Sequence, residues 1–464
     1  MTPPCRGRAP FGGKVRRGLD GRVFDCGSGR CAYVGLVGRD LYLAELLRRP
    51  LLGKGGETVG RLSDVIVRLR GRNYPLVTGL VARLGGREVF LPGEQVASWE
   101  AEGITLTSRR VNLGGFERRE GEVLLRADVL GHRVIDVPAA EFVRAYDLVL
   151  ERTSEGLVVT GLNTHRPRRL ARLFGGGDGE HDRRDWRDWK SFEPLIGHAR
   201  SARVRSVFGR LGRLKPADIA DLLEEASRTE SHEILQTVHS DPELEADVFE
   251  ELEPDSQIRL LRERSDAEIA KVIARMRADD ATDAVNELPQ ARRQPVLDAL
   301  PARQRVKVLT LMGFNPSSAG GLMALDVLTA APGITAAEAL REAGGSRALQ
   351  PEVLTTVYLI GDGDRLTGAV TLVDLLQADP AARLEQLADA DPVRVVPDTD
   401  IEDVALLMTD YNLLTVPVVD DEERILGVIT VDDVLEVIIP SDWRRRGHAP
   451  RPPGRPERES PASP

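Results

Sequence analysis

The rhythm of apolar and polar positions changes twice along the chain. From Leu41 to about Leu170, apolar residues alternate with polar ones in short runs such as TVGRLSDVIVRL, PLVTGLVARL and EVFLPGEQVASW, broken by Gly, Asn and Pro. That pattern predicts half-buried strands joined by turns. From Leu214 to Met312 the spacing becomes helical and repeats every 12 residues. Units open at Leu252, Arg264, Met276, Leu288 and Leu300, and their apolar pairs recur in register: Leu260–Leu261, Val272–Ile273, Ala284–Val285, Val296–Leu297 and Val308–Leu309. LKPADIADLLEE at Leu214 and SDPELEADVFEE at Ser240 fit the same template. Each unit starts on Pro, Asp or Ser, gives about two helical turns, and cannot bury a core alone, so the units must stack. Beyond Gly320, apolar strand runs and amphipathic helices alternate. Val393–Val396 reads as a short strand, Asp398 or Thr399 as the cap of the next helix, and TVPVV and ILGVITV as a hairpin around DDEER.

Two further repeats lie inside this pattern. In the β-rich part, DVIV at Asp64–Val67 with VTGL at Val77–Leu80 returns as DLVL at Asp147–Leu150 with VTGL at Val159–Leu162. Two small barrels packed together would satisfy that duplication. In the last part, TVYLIGDGDRLTGAVTLVDLL returns as TVPVVDDEERILGVITVDDVL, so that Val357 and Gly368 correspond to Val416 and Gly427.

Composition narrows the classes. The chain has 464 residues, which predicts about three domains, and its 73 acids against 63 bases give a net charge of -10. No dependence on nucleic acid is expected from that balance. No apolar run approaches the roughly 18 residues of a membrane-spanning helix, so neither direct membrane insertion nor a pore on this polypeptide is expected. Without an apolar signal core at the start, the expected compartment is the cytoplasm. Cys5, Cys26 and Cys31 lack paired metal-ligand spacing, and His181 with Asp182 and Asp185 sits in a charged linker; neither trio is expected to bind metal. The chain carries no GxGxxG, Walker loop or nucleophile elbow, and no enzyme is expected.

Three resemblances follow from the quoted segments. PDTDIEDVALLMTDYN and GVITVDDVLEVI resemble a cystathionine-β-synthase-type (CBS) domain, closest to those of MgtE-family magnesium channels. LKPADIADLLEE and its followers look like the helical N-terminal domain of the same family, and GFNPSSAGGLMALDVLTA like the joint between them. The duplicated β segment resembles a PRC-barrel pair. The expected fold is therefore multidomain α+β. It runs from a disordered leader at 1–38 through a PRC-like β pair at 39–170 and a linker at 171–212, whose Trp186, Trp189 and Phe192 dock on a neighbour. A helical repeat domain at 213–313 and two CBS copies at 314–440 (about 320–389 and 390–440) follow, then a disordered tail at 441–464.

The MgtE resemblance implies a magnesium site. Asp400 and Glu402 match positions that hold the ion within the CBS region, and Asp433 matches a carboxylate that meets the helical domain through it. The partner acids are sought among Asp279, Asp280 and Asp283, with Asp280 and Asp283 favoured. Magnesium prefers hard oxygen ligands, so facing carboxylates suit it. After the second copy the family continues into an acidic helix, where this chain has IIPSDWRRRGH, and the family's pore segment has no counterpart here. The CBS resemblance implies a second site, in which Thr371 with Asp374 and Thr430 with Asp433 hold the ribose of ATP or another adenine nucleotide. Thr and Asp at a helix start are equally ordinary caps. The reading is a cytoplasmic magnesium-sensing regulator, homodimeric through its CBS copies and reaching the membrane only through a separately encoded transporter. Its alternatives are an adenine-nucleotide sensor and a structural adaptor.

Overall fold

The hairpin of β1 (Thr58–Arg70) and β2 (Asn73–Leu84) and the hairpin of β3 (Asp147–Thr153) and β4 (Gly156–Asn163) follow from the alternating runs and repeat each other pair for pair. Val65 faces Leu80 and Ile66 faces Gly79 in the first; Leu148 faces Leu162 and Val149 faces Gly161 in the second. Both then slip by one residue, so that Thr78 and Thr160 are bulged out of their ladders at the same place. These details come from a computed structural model, which describes residues 40–70, 73–100, 103–108, 118, 119, 121–165, 186–194, 210–347 and 349–440, with the backbone of three short strands before them.

The two hairpins are not two barrels. Val158 of β4 pairs with Leu76 of β2, which joins them into one sheet of eleven strands over a single core. Leu80, Val89 and Leu91 of the first half and Leu148, Leu150 and Leu162 of the second share that core. An isolated hairpin buries only one face and is marginal by itself, so the copies gain by curling around a common interior. Two boundaries also differ from expectation. Val15–Arg17, Val23–Asp25 and Ala32–Val34 form a small antiparallel sheet within the leader, from runs too short to show periodicity. Trp186–Asp188, placed in the linker, is a strand paired with β4, and Trp189 and Phe192 are fully buried in the barrel-like core. Trp189 and Phe192 thus dock on a neighbour as expected, and what differs is that the segment adds a strand to the sheet. His181, Asp182, Asp185, the three cysteines and the tail at 441–464 lie outside the described residues.

The helices begin where the 12-residue rule places them. α1 (Pro216–Glu225) and α2 (Arg228–Val238) are followed by α3 (Pro242–Glu250), α4 (Pro254–Arg262), α5 (Asp266–Ile273), α6 (Ala278–Glu287), α7 (Gln290–Ala299) and α8 (Ala302–Leu311). From α3 to α8 every start is 12 residues after the last; α2, absent from the sequence alignment of units, obeys the step from α1 and is followed by a step of 14. Each helix from α4 to α6 packs on the next but one, and the recurring apolar pairs are buried as far as Val296–Leu297. The last pair departs: Val308 is buried but Leu309 is 48% exposed.

The remaining described residues form the two CBS copies. β5 (Thr356–Ile360) and β6 (Leu366–Thr371) pair antiparallel and lead into α10 (Leu372–Gln377), after α9 (Ala336–Gly345). α11 (Ile401–Tyr411), β7 (Thr415–Val419), β8 (Ile425–Thr430) and α12 (Val431–Ile438) repeat the plan. Val357 pairs with Val370 as Val416 pairs with Ile429. Equivalent residues also meet each other: Thr356 and Thr415 share a hydrogen bond of 3.0 Å, and Arg365 bridges to Arg424, which marks a local two-fold axis between the copies. Val393–Val396 is no strand; Val395 makes a lone parallel bridge to Val418, and the helix cap is Asp400 rather than Asp398 or Thr399. Two compact units divide between Leu244 and Glu245, and among the described residues no helix is long and apolar enough to cross a membrane.

Candidate functional site

Within the second unit, the start of α6 meets the start of α12. The sequence ARMRADDATDAV places Arg277 at the N-cap of α6, with Asp279 and Asp280 in its first turn. TVDDV places Thr430 at the N-cap of α12, with Asp432 and Asp433 in its first turn. Acids at both starts suit the positive ends of the helix dipoles. Arg277 lies between them. Its Nε donates to Asp280 at 2.6 Å and its Nη1 to Asp433 at 3.2 Å, while Nη2 lies 3.7 Å from the Glu436 carboxylate. Its backbone N–H donates to Glu250, at the end of α3, at 2.6 Å.

The electrostatics follow from seating many carboxylates around one guanidinium. Burial works against the charge on Arg277, yet Asp280, Asp279, Asp433 and Glu250 outweigh it and hold the guanidinium above its usual range. Burial and then Asp279 push the Asp433 carboxyl up to about 6, and the same two causes push Asp283 to about 6. Burial raises Glu250 to about 7 against its bond from the Arg277 backbone. Asp279 is raised by burial, and Asp280 is raised well above the ordinary range by burial and by Asp279.

The predicted metal residues therefore separate into two groups. Asp280 and Asp433 are brought together, with Asp283 one turn along α6, but a guanidinium already bonds the first two. Asp400 and Glu402 are exposed at the start of α11, and no hydrogen bond or ion pair among the described residues links them to that cluster. The donor set, hard carboxylate oxygens in excess over positive charge, fits magnesium. Among the described residues no three acids converge as a ready ligand set, since the oxygens of Asp280 and Asp433 turn to Arg277. Asp280, Asp283 and Asp433 would hold the ion only once Arg277 gives way. Sequence reasoning missed Arg277 and Glu250. No local signal singles out Arg277: the corresponding positions before α4, α5, α7 and α8 are Glu253, Ser265, Pro289 and Pro301, but Lys215 before α1 is basic as well.

The predicted nucleotide residues are capping pairs in both copies. Thr371 donates to Asp374 at 2.6 Å, and Thr430 donates to Asp433 at 2.6 Å. The first pair is exposed. The second is buried, with Asp433 5% exposed beneath Arg277, so the two equivalent positions are unequal.

Comparisons with known proteins bear on the same residues. The family model of the MgtE intracellular N domain matches residues 214–317, and that of the CBS domain matches 384–440. The magnesium transporter MgtE of Thermus thermophilus is 38% identical over 159 residues, 34% of this chain and 35% of that protein. The magnesium transporter MgtE of Bacillus subtilis is 24% identical over 240 residues, 52% of each. This chain thus spans about a third to half the length of these relatives. Among solved structures, the cytosolic domain of the Mg2+ channel MgtE in complex with ATP is 31% identical and is covered to 96% by 52% of this chain, with a TM-score of 0.48. Residues 214–317 thus carry an MgtE intracellular N domain, followed by a CBS pair whose second copy the CBS model matches.

Proposed function

We propose that the chain is a cytoplasmic, non-enzymatic regulator of magnesium transport, whose metal-responsive part is the contact between α6 and α12, where the ion takes the place of Arg277. The observation that carries this reading is the carboxylate cluster at that contact. Acids from the helical domain and from the second CBS copy meet there in excess of the one arginine between them. Such a junction repels itself unless positive charge is supplied, by Arg277 or by a divalent ion. Divalent magnesium, taken up by Asp280, Asp283 and Asp433, is the proposed stimulus. The output is a contact with a separately encoded membrane transporter. Exposed Leu406, Tyr411, Leu414 and Leu435 on and beside α11 and α12 support a homodimer through the CBS copies, since such apolar side chains gain by being covered.

Calorimetric titration of the full chain with magnesium tests this. Saturable binding at millimolar ion, weakened at least fivefold by Asp433→Ala and by Asp280→Ala but not by Glu402→Ala, is expected. No heat of binding at 10–20 mM would discard the reading. An adenine nucleotide is the second reading, favoured only by the exposed Thr371–Asp374 pair. It requires that Asp374→Ala abolish ATP binding.

A further inference from the structure

We infer that Arg277 is a built-in cation that holds the helical domain to the second CBS copy in the absence of metal. Three observations carry this. The first is position. Arg277 occupies the N-cap of α6, where a cation opposes the helix dipole and where Ser, Asn or Asp would serve the backbone better. Its placement there needs a compensating partner. The second is its complement of contacts. Side chain and backbone together reach Glu250 on α3, Asp280 on α6, and Asp433 and Glu436 on α12. One residue thus ties three helices from two domains. The third is burial on the far side: Asp433 is 5% exposed and already accepts a bond from Thr430, so an unpaired charge there would be costly.

A guanidinium can serve several carboxylates at once because its five N–H donors spread in a plane. A tethered cation is also always at hand. Its effective concentration at the site is set by the chain and not by the surrounding solution. The junction therefore stays closed at low magnesium. The role of the metal, unlike that of the latch, rests on the proposed magnesium sensing: the ion acts here only by displacing Arg277, so removing the arginine turns a closed junction into a metal-dependent one.

Hydrogen exchange of the full chain, followed over α6 and α12 in EDTA and in 10 mM magnesium, tests the inference. Wild type should be protected in EDTA. Arg277→Gln should exchange at least tenfold faster there, and Arg277→Lys, which keeps the charge but loses the fork, should fall between. Unchanged protection of Arg277→Gln in EDTA overturns the latch, as does an unprotected wild type. If magnesium fails to restore Arg277→Gln, the latch stands and the magnesium reading falls. Should Arg277→Gln fail to fold, wild type alone decides the matter in EDTA. Raising sodium chloride to 1 M should loosen α6 and α12 selectively if an ion-pair latch holds them, and indifference to salt rejects it.

Discussion

Asp64 and Asp147 are the same residue of two repeats, and each ties its hairpin to a neighbour. Asp64 is 5% exposed and accepts from the backbone N–H groups of Val65, Arg126 and Ala127; Asp147 accepts from Leu148 and Ala44. Burial nonetheless raises Asp64 to about 6. The repeated glycines differ more sharply. A Cβ on Gly79 would fall 2.6 Å from the Phe90 ring and 2.8 Å from the Leu91 carbonyl, whereas one on Gly161 would meet nothing nearer than 3.4 Å. Gly79→Ala should therefore cost about 2 kcal/mol through overpacking, and Gly161→Ala less than about 0.5 kcal/mol. Urea unfolding followed by tryptophan fluorescence distinguishes them, and equal midpoints would contradict the account. At this scale the sequence showed that Asp, Thr and Gly recur, but which copy is crowded depends on strand neighbours that no local pattern records. Arg277 is the same lesson at the candidate site. Asp280, Asp283 and Asp433 were legible through the resemblance to the MgtE family, while the guanidinium beside them became visible only when two segments 156 residues apart were brought into contact.

The helical array is the part most fully written in the sequence, because its packing is local and its period exact. α4, α5, α6, α7 and α8 all begin on the predicted step, and the buried pairs fall at the predicted positions. What the period could not say is where stacking ends. Leu297 is 4% exposed within the array, and its equivalent Leu309 is 48% exposed on the last helix. Leu297→Ala should cost about 2–4 kcal/mol through the cavity it leaves. Leu309→Ala should change stability by less than about 0.5 kcal/mol. Unfolding followed by circular dichroism would refute the repeat reading if the two losses were alike. The β-rich part was less legible for the opposite reason. Its hairpins were apparent, but the pairing of Val158 with Leu76, which makes one sheet of two copies, is long-range and leaves no periodic trace.

For the second unit as a whole, the raised carboxyls set the pH dependence. Glu250, at about 7, and Asp283 and Asp433, at about 6, all lie above their ordinary values near 4. Between those limits the folded state holds more protons than the unfolded one, so stability is lost as pH rises through the window. The penalty is absent below about pH 4 and complete above about pH 8. A tenfold gain in a carboxylate's proton affinity on folding corresponds to about 1.4 kcal/mol. The apparent melting temperature should fall from pH 5 to pH 8, and Glu250→Gln should flatten the slope while keeping an acceptor for the Arg277 backbone. A melting temperature that rises over this range would contradict the burial of these groups.

The even step of the helical array also governs how such a domain can change length over time. Because each helix from α4 to α6 rests on the next but one and every start from α3 to α8 is 12 residues after the last, losing or gaining a few residues inside a unit rotates the later apolar pairs off the core. Whole-unit changes preserve the phase of every pair. The step of 14 between α2 and α3 shows where two extra residues are absorbed, in the turn before Pro242. Insertions and deletions that survive in descendants of this gene should therefore cluster at that turn or come in multiples of 12.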